Sequence, residues 1–413
     1  MTDSKQHSDT KMRPIRDTIP IAEALELILS SVLPVTRTSH VDLTDAHRRV
    51  LSSNITAKQD VPPFNRAAMD GFAVIAEDTF GASRQKPQLL RCVEAVHTGN
   101  VPTKILSQRE CAEIATGAPM PDGSNAVVMV EETARTSDGD IQVFTPVYPN
   151  QHVGQRGADI SHGEVILNTG DILIPSRLGS IAALGLANVD VFDRPNVAIL
   201  STGNEIVQPG QPLGPGQIYD INRFTLGAVI REHGGVAMNY PTVVDTLPSL
   251  AAAVDACLDS DILVFSGGSS VGERDLTLDV LEQKGTVVFH GIAVKPGKPT
   301  IFGHIDGTPV LGMPGYPTSC LSNAYMLLIP MLRKMANLPA NQMRIIEVRT
   351  AQRFVSTTGR HQFFTVRIEN GKAVAAFKAS GDITSMSQAD GFIEIGAQTD
   401  IVEQGETVEV KLF

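Results

Sequence analysis

The stretch that most constrains this chain runs from Asn196 to Arg333, where short apolar runs alternate with helical patterns. Residues 197–201, 262–266, 286–294 and 310–312 are short and almost continuously apolar, 236–244 is a further extended run, and helical stretches occupy 224–233, 247–258, 275–284 and 318–335. A strand apolar on both faces needs cover on both faces, and a crossover between parallel strands is long enough to be a helix. The expectation is a multidomain α/β chain with a doubly wound, mostly parallel α/β core. Gly234-Gly235 closes the first of these helices, and Gly285 fits a C-cap on the third.

The rest of the chain changes texture twice. After a polar segment, residues 1–13, read as disordered, an amphipathic helix is expected over 21–32, with Pro20 near its first turn and Ile21, Leu25, Ile28, Leu29 and Val32 on one face. Between 58 and 150, β-like runs (88–96, 126–130, 141–144) are separated by Gly, Pro and Asp, and Asp138-Gly139 marks a hairpin. Helical patterns at 21–32 and 177–187 flank this region, so it reads as a β-rich domain inserted into a helical linker segment. From 343 onward, Phe364, Val366 and Ile368 alternate with polar residues, Asn370-Gly371 links that run to 372–377, and Val408, Val410 and Leu412 alternate at the end. This reads as a C-terminal β-barrel or sandwich. The expected division is 13–57 with 151–190 (helical and extended linker), 58–150 (inserted β domain), 191–338 (α/β domain) and 339–413 (C-terminal β domain).

Charge narrows the function. The formal net charge is −11, which disfavours general binding to nucleic acid or to an anionic membrane surface. Cys92, Cys111, Cys257 and Cys320 lack zinc-site or CxxC spacing and read as reduced thiols. Residues 1–13 contain no signal-peptide apolar region, and runs such as 324–332 are far shorter than a membrane span. A cytoplasmic location is expected.

Open α/β sheets bind ligands beyond the carboxyl ends of their strands. The residues following the expected strands are Ser201-Thr202-Gly203-Asn204-Glu205, then Gly267-Gly268-Ser269-Ser270-Val271-Gly272, Lys295-Pro296-Gly297-Lys298-Pro299, and Met313-Pro314-Gly315-Tyr316-Pro317-Thr318-Ser319. Glycines let backbone N–H groups approach an anion, hydroxyls add donors, and lysines add compact positive charge. One such loop alone would be a tight turn; four on one sheet indicate an anion site. It is neither a GxGxxG dinucleotide loop nor a Walker A loop, because Lys298 is followed by Pro299 and no glycine lies five residues before Gly297. Glu205, Asp220, Asp245 and Asp275 lie beside these loops, and Mg²⁺ bound by one or two carboxylates plus substrate oxygens would offset their charge. For Asp275, capping a helix is an equally good reading. None of the histidines has triad or ligand spacing.

Residues 65–72 (NRAAMDGF), 116–121 (TGAPMP), 201–205 (STGNE), 219–222 (YDIN), 267–275, 295–299 and 314–319 together resemble, collinearly and over nearly the whole chain after the first dozen residues, the MoeA / gephyrin E-domain family of molybdopterin molybdenumtransferases. The resemblance implies a homodimer of four-domain subunits, with the inserted β domain of one subunit leaning over the α/β domain of the other. It implies insertion of molybdate into the dithiolene of adenylylated molybdopterin with Mg²⁺ and release of AMP. A molybdopterin adenylyltransferase would then stand upstream. By motif match, Asp70, Thr116, Asp159, Glu205, Asp245 and Asp275 fall on catalytic positions, with Glu205, Asp245 and Asp275 as metal ligands. Thr202, Gly203, Asp220, Asn222, Gly267, Gly268, Ser269, Ser270, Lys295, Gly297, Lys298, Pro314, Gly315, Pro317 and Ser319 fall on substrate-binding positions.

Three positions depart from the usual family pattern. Tyr316 replaces an Asn in the proline-rich loop, with Cys320 following Ser319. His290 stands where Lys is common, and Ser269 where Val is usual. Loss of an amide and of a positive group motivates an alternative: a molybdopterin-binding carrier or scaffold with weak or no transferase activity.

Overall fold

Helix α1 (Ile21–Ser31) follows Pro20, carries Glu23 in its first turn, and turns Ala24 and Ile28 inward. The computed structural model describes Ile15, residues 17–267 and residues 275–413. The chain divides into two units, one made of Met1–Ser39 with Phe192–Phe413, the other of His40–Val191.

In the His40–Val191 unit, β1 (Arg66–Ala67) pairs with Val153–Gly154. A six-stranded sheet is built from β2 (Gly71–Val74), β3 (Gln88–Val96), β4 (Glu110–Ile114), β5 (Ala126–Met129), β6 (Thr133–Arg135) and β7 (Ile141–Val143), in the order β5-β2-β4-β3-β7-β6. The hairpin expected at Asp138-Gly139 is present between β6 and β7. The sheet buries Phe72, Val74, Leu90, Ile141 and Val143 on one side, and Ala73, Val96, Ala112 and Ile114 on the other. The flanking segment is less helical than the sequence suggests. Its helix α2 (Pro175–Ala183) stops where Gly185 turns to a φ of 76°, while Ile55–Thr56 pairs with Val165–Leu167.

The other unit holds the α/β core. Its sheet comprises β8 (Asn196–Ser201), β9 (Val236–Asn239), β10 (Ile262–Ser266), β11 (Thr286–His290), β13 (Ile301–Ile305) and β14 (Thr308–Met313), in the order β9-β8-β10-β14-β13-β11. Strands β9, β8, β10 and β14 are parallel, and β13 runs antiparallel to both β14 and β11. Alternate residues face opposite layers. Val197, Ile199, Ile262, Val264, Leu311 and Met313 meet α1, α3 (Asn222–Glu232) and the helical segment after β14, which is α6 (Pro317–Asn323), a π turn (Ala324–Leu328) and α7 (Ile329–Met335). Ala198, Leu200, Leu263, Phe265 and Val310 meet α4 (Leu247–Asp255) and α5 (Leu276–Lys284).

Three details differ from the sequence reading. The buried face of α1 packs on this core, although the sequence grouped 13–57 with the linker. The closing helix is not continuous over 318–335, because Pro330 lacks an N–H and its ring crowds the preceding turn, and the π turn lies just before it. The strand β13 was missed because Gly303 and His304 interrupt its apolar run; Gly303 is there because a Cβ would sit 2.1 Å from Thr286 O.

After residue 344, β15 (Ile345–Thr350), β16 (His361–Glu369), β17 (Lys372–Ala375), β18 (Gly391–Ile395) and β19 (Thr407–Leu412) close into a five-stranded barrel, β16-β17-β15-β19-β18 and back to β16. The Asn370-Gly371 turn joins β16 to β17 with both residues at positive φ. The short strand β12 (Val294–Lys295) attaches to β16, so the lysine loop is tied to the barrel.

Gly285 ends α5 as expected, but space rather than a left-handed φ requires it, since a Cβ would lie 1.9 Å from His304 O. Gly285→Ala should therefore cost about 2–4 kcal/mol, the range of a backbone clash, read as a lowered midpoint in urea unfolding; an unchanged midpoint would contradict this packing.

Candidate functional site

The chain order of the α/β sheet reverses at β8, which has β9 on one side and β10 on the other, and the crevice of such a sheet lies outside the carboxyl ends at this point. Three loops meet there through backbone contact. Gly267 has φ 102° and packs so closely on the end of β8 that a Cβ would fall 2.5 Å from Thr202 O. A Cβ on Gly315 would reach Gly267 Cα at 3.6 Å. Asn222, at the start of α3, donates from Nδ2 to Gly315 O at 2.8 Å. The hydroxyls of Ser201 and Thr202 and the Oδ1 of Asn222 are buried without a hydrogen-bond partner among the described residues. Such groups cost free energy unless a ligand or water satisfies them. Ser201 was quoted but not singled out from sequence; only its burial distinguishes it.

The acids divide by environment. Asp220 is buried and accepts from Arg223 N at 3.1 Å and Arg223 Nε at 3.0 Å, so its charge is met inside the protein. Arg223, which sequence reading missed, also donates to Thr242 Oγ1. Asp275 caps α5 by accepting from Leu278 N at 3.1 Å, and its other oxygen lies 3.2 Å from His290 Nε2. Among the described residues Glu205 and Asp245 have no such partners: Glu205 folds over Gly203, its carboxylate 2.8 Å from where a Cβ would be. Partial burial and, after it, the charge of Glu205 raise the Asp245 carboxyl above its ordinary value. The three residues expected to share a metal therefore do not act as one group. Among the described residues no three of His, Cys, Asp and Glu are arranged to hold an ion, because Asp275 is engaged by its helix and by His290. Glu205 and Asp245 remain, and two close carboxylates suit a Mg²⁺ that takes its other oxygens from substrate and water.

The lysine loop connects β11 to β13 at the same edge, since β11 runs parallel to β14 through the antiparallel β13. Lys295 Nζ rests on Thr357 Oγ1 at 2.9 Å and Lys298 Nζ on Ile15 O at 2.6 Å, both neutral oxygens. Gly297, between them, has φ 110°. Pro314 is buried, Pro317 opens α6, and Ser319 is buried with its carbonyl accepting from Ser322 Oγ. Tyr316 is 66% exposed and packs beside Gly381. Gly268, Ser269 and Ser270 lie outside the described residues.

Asp70, Thr116 and Asp159 belong to the His40–Val191 unit. The first two are brought together: Asp70 Oδ1 accepts from Thr116 N at 2.7 Å, and residues 65–67 run alongside 117–120 through Gly117 N to Ala67 O, Ala67 N to Ala118 O and Met120 N to Asn65 O. The two motifs quoted for this region thus form one exposed ridge. Gly71 follows because a Cβ there would strike Val128 O at 1.9 Å. Asp159 is exposed, donates its N–H to Val61 O, and borders a groove between Glu164–Ile166 and α2.

Three family descriptions cover these regions: the MoeA N-terminal region (domain I and II) over residues 19–185, a probable molybdopterin binding domain over 198–334, and the MoeA C-terminal region (domain IV) over 347–413. A putative molybdopterin biosynthesis protein of Methanocaldococcus jannaschii is 32% identical over 97% of this chain and 100% of its own length. The chain belongs to the MoeA family. Molybdopterin molybdenumtransferase 2 of Mycobacterium tuberculosis is 32% identical over 94% of this chain and 97% of its length. The solved structure of the molybdopterin biosynthesis MoeA protein of Pyrococcus horikoshii superposes with a TM-score of 0.84 at 40% identity, covering 96% of this chain and 99% of that one. This MoeA-family chain thus has a place in molybdenum cofactor biosynthesis, and the names of its curated relatives support a transferase. Among the described residues no helix is long and apolar enough to cross a membrane.

The raised Asp245 carboxyl gives a signed expectation. An acid whose folded pKa exceeds its unfolded value lowers stability above the folded pKa, and the cost is relieved as pH falls through it. Without divalent cation, Asp245→Asn should raise Tm at pH 7 by at most about 2 °C, with the gain shrinking towards the ordinary carboxyl range. A lowered Tm at pH 7 would contradict the uncompensated pair.

Proposed function

We propose that this chain is a molybdopterin molybdenumtransferase that inserts molybdate into the dithiolene of adenylylated molybdopterin and releases AMP. The observation that carries this reading is the convergence, at one sheet edge, of a backbone cradle with buried unpaired hydroxyls, two lysines on neutral oxygens, and a paired Glu205–Asp245. A ligand with phosphates needs the first; an oxyanion needs the second.

In this reading Thr202, Gly203, Gly267 and Gly315 form the wall against which the phosphate-bearing part of the substrate would lie, with the Thr202 and Ser201 hydroxyls as donors, because the N–H groups of Thr202, Gly203 and Gly267 are already taken by Ser266 O, Val243 O and Met313 O. Pro314, Pro317 and Ser319 would line the same crevice, Gly268, Ser269 and Ser270 keep the substrate-binding role that the family motif implies, and Asp220 would act indirectly by fixing Arg223 and the start of α3. Lys295 and Lys298 hold the molybdate oxygens near the dithiolene. Glu205 and Asp245 would hold Mg²⁺, which when bound would supply charge neutralisation on the phosphoanhydride. Asp275 would act from its cap position at the start of α5. Two dithiolene sulfurs replace two molybdate oxygens, which leave as water, while one water molecule adds across the phosphoanhydride, leaving a terminal phosphate on the pterin and releasing AMP. The protein's share is orientation and charge stabilisation, without a covalent enzyme intermediate. Homodimerisation and an upstream molybdopterin adenylyltransferase belong to the same reading, as do roles for Asp70, Thr116 and Asp159.

The test mixes purified protein, adenylylated molybdopterin, Mg²⁺ and molybdate, and follows AMP and pterin-bound molybdenum. Asp245→Ala should lower the rate by about 10²-fold, as expected for loss of one preorganised electrostatic contact. The exposed Tyr316 and the engagement of His290 with Asp275 favour the second reading, a pterin carrier. That reading is upheld, and the first rejected, if the wild type binds adenylylated molybdopterin but releases no AMP while an active relative does. Asp70→Asn separates charge from structure on the exposed ridge. It keeps an oxygen for Thr116 N–H, so a full-rate variant would remove Asp70 from the chemistry, and a loss of about tenfold or more with unchanged Tm is expected.

A further inference from the structure

We propose that Asn323 is a positioning residue for the lysine loop, setting where Lys295 and Lys298 meet the anionic substrate; this role presupposes that the loop does meet it. Asn323 is the last residue of α6 and is fully buried. An amide costs free energy in such a place unless it is paired. Here its Nδ2 donates to Gly297 O at 2.8 Å and to Thr300 Oγ1 at 2.6 Å, and Thr300 Oγ1 donates in turn to Gly297 O at 2.9 Å, while Asn323 Oδ1 is buried without a partner among the described residues. The three form a closed polar triangle on the residue midway between the two lysines. The fit is tight: with Gly297 at φ 110°, a Cβ would come within 2.4 Å of Asn323 Oδ1.

The loop's first part is fixed by backbone ladders. Ile19 N donates to Gly291 O, Ala293 N to Ile19 O, and His361 N to Ala293 O. None of these reaches Gly297, so the amide is its side-chain anchor to the helical layer. The π turn begins at the next residue, Ala324. Turns of this kind alter which way the adjoining side chains point and recur at functional sites. The anchored segment carries two ammonium groups that rest on neutral oxygens, with no carboxylate partner among the described residues. Lys295 is held by the pairing of β12 with β16, and the Lys298 carbonyl accepts from Ile292 N and Thr300 N, so a change in the Gly297 backbone would act on the segment between these holds and first on the Lys298 ammonium.

The test uses the full-length protein and sodium molybdate with Mg²⁺, measuring molybdate affinity calorimetrically and molybdate KM in the transferase assay. Lys298→Ala establishes the premise: if it leaves molybdate affinity unchanged, the loop does not meet the oxyanion, and the role of Asn323 falls with it. Given a weakened Lys298→Ala, Asn323→Ala should raise the molybdate Kd and KM about tenfold, the scale of losing a paired buried donor, with a smaller change in kcat. In the double variant the losses should overlap, leaving affinity within about threefold of Lys298→Ala alone, because Asn323 acts through the lysine. A molybdate affinity within twofold of wild type in Asn323→Ala, or fully additive losses, would overturn the role. Should Asn323→Ala fail to fold, Thr300→Val removes one side of the triangle at constant shape; it should weaken molybdate binding several-fold, and wild-type affinity there would equally overturn it.

Discussion

The architecture of this protein depends on the close approach of three backbone segments at the carboxyl edge of a parallel sheet. Strands β8, β10 and β14 are apolar on both faces because helices cover both. That leaves the strand ends as the place where polar chemistry is possible. At those ends Gly267 touches the Thr202 carbonyl and Gly315 reaches Gly267. Any side chain at Gly267 would push the loops apart. Asn222 then ties the Gly315 loop to the start of α3, and the buried hydroxyls of Ser201 and Thr202 lie beneath. Chain segments far apart in sequence are thereby held at one crevice by contacts that tolerate little adjustment.

The charges around this crevice are not interchangeable. Arg223 meets Asp220, and His290 with a helix N-terminus meets Asp275. Among the described residues no cation meets Glu205 or Asp245, and partial burial followed by the charge of Glu205 raises the Asp245 carboxyl. Lys295 and Lys298 meet neutral oxygens. The uncompensated acids and the uncompensated bases are therefore separate pairs. A substrate that carries both anionic oxygens and a divalent cation would complete both at once.

Much of this was legible in the sequence because it is periodic. The continuous apolar runs at 197–201 and 262–266 could only be doubly covered strands, and Asn370-Gly371 fixed a hairpin by its own backbone preferences. The glycine, hydroxyl and lysine loops were legible because they follow those runs. What was not legible depends on neighbours distant in the chain. β13 was hidden by Gly303, a residue present for the Thr286 carbonyl. The packing of α1 on the core depends on the π turn and α7, residues 324–335, at the far end of the α/β region. Asp220 and Asp275 look like Glu205 and Asp245 as letters, and only Arg223, His290 and the α5 cap separate them. Asn323 gave one faint signal, a polar residue at the start of an apolar helical run, without showing that it faces Gly297.

The central claim is that the carboxyl edge formed by residues 201–203, 267 and 314–319 receives the phosphate-bearing pterin. A crystal structure of the protein with adenylylated molybdopterin bound tests it most directly. The account predicts phosphate density beside Thr202, Gly267 and Gly315, with the Ser201 and Thr202 hydroxyls donating to the ligand and Asn222 Oδ1 accepting from a pterin N–H or an ordered water. Ligand density elsewhere, with that crevice filled only by solvent, would contradict it.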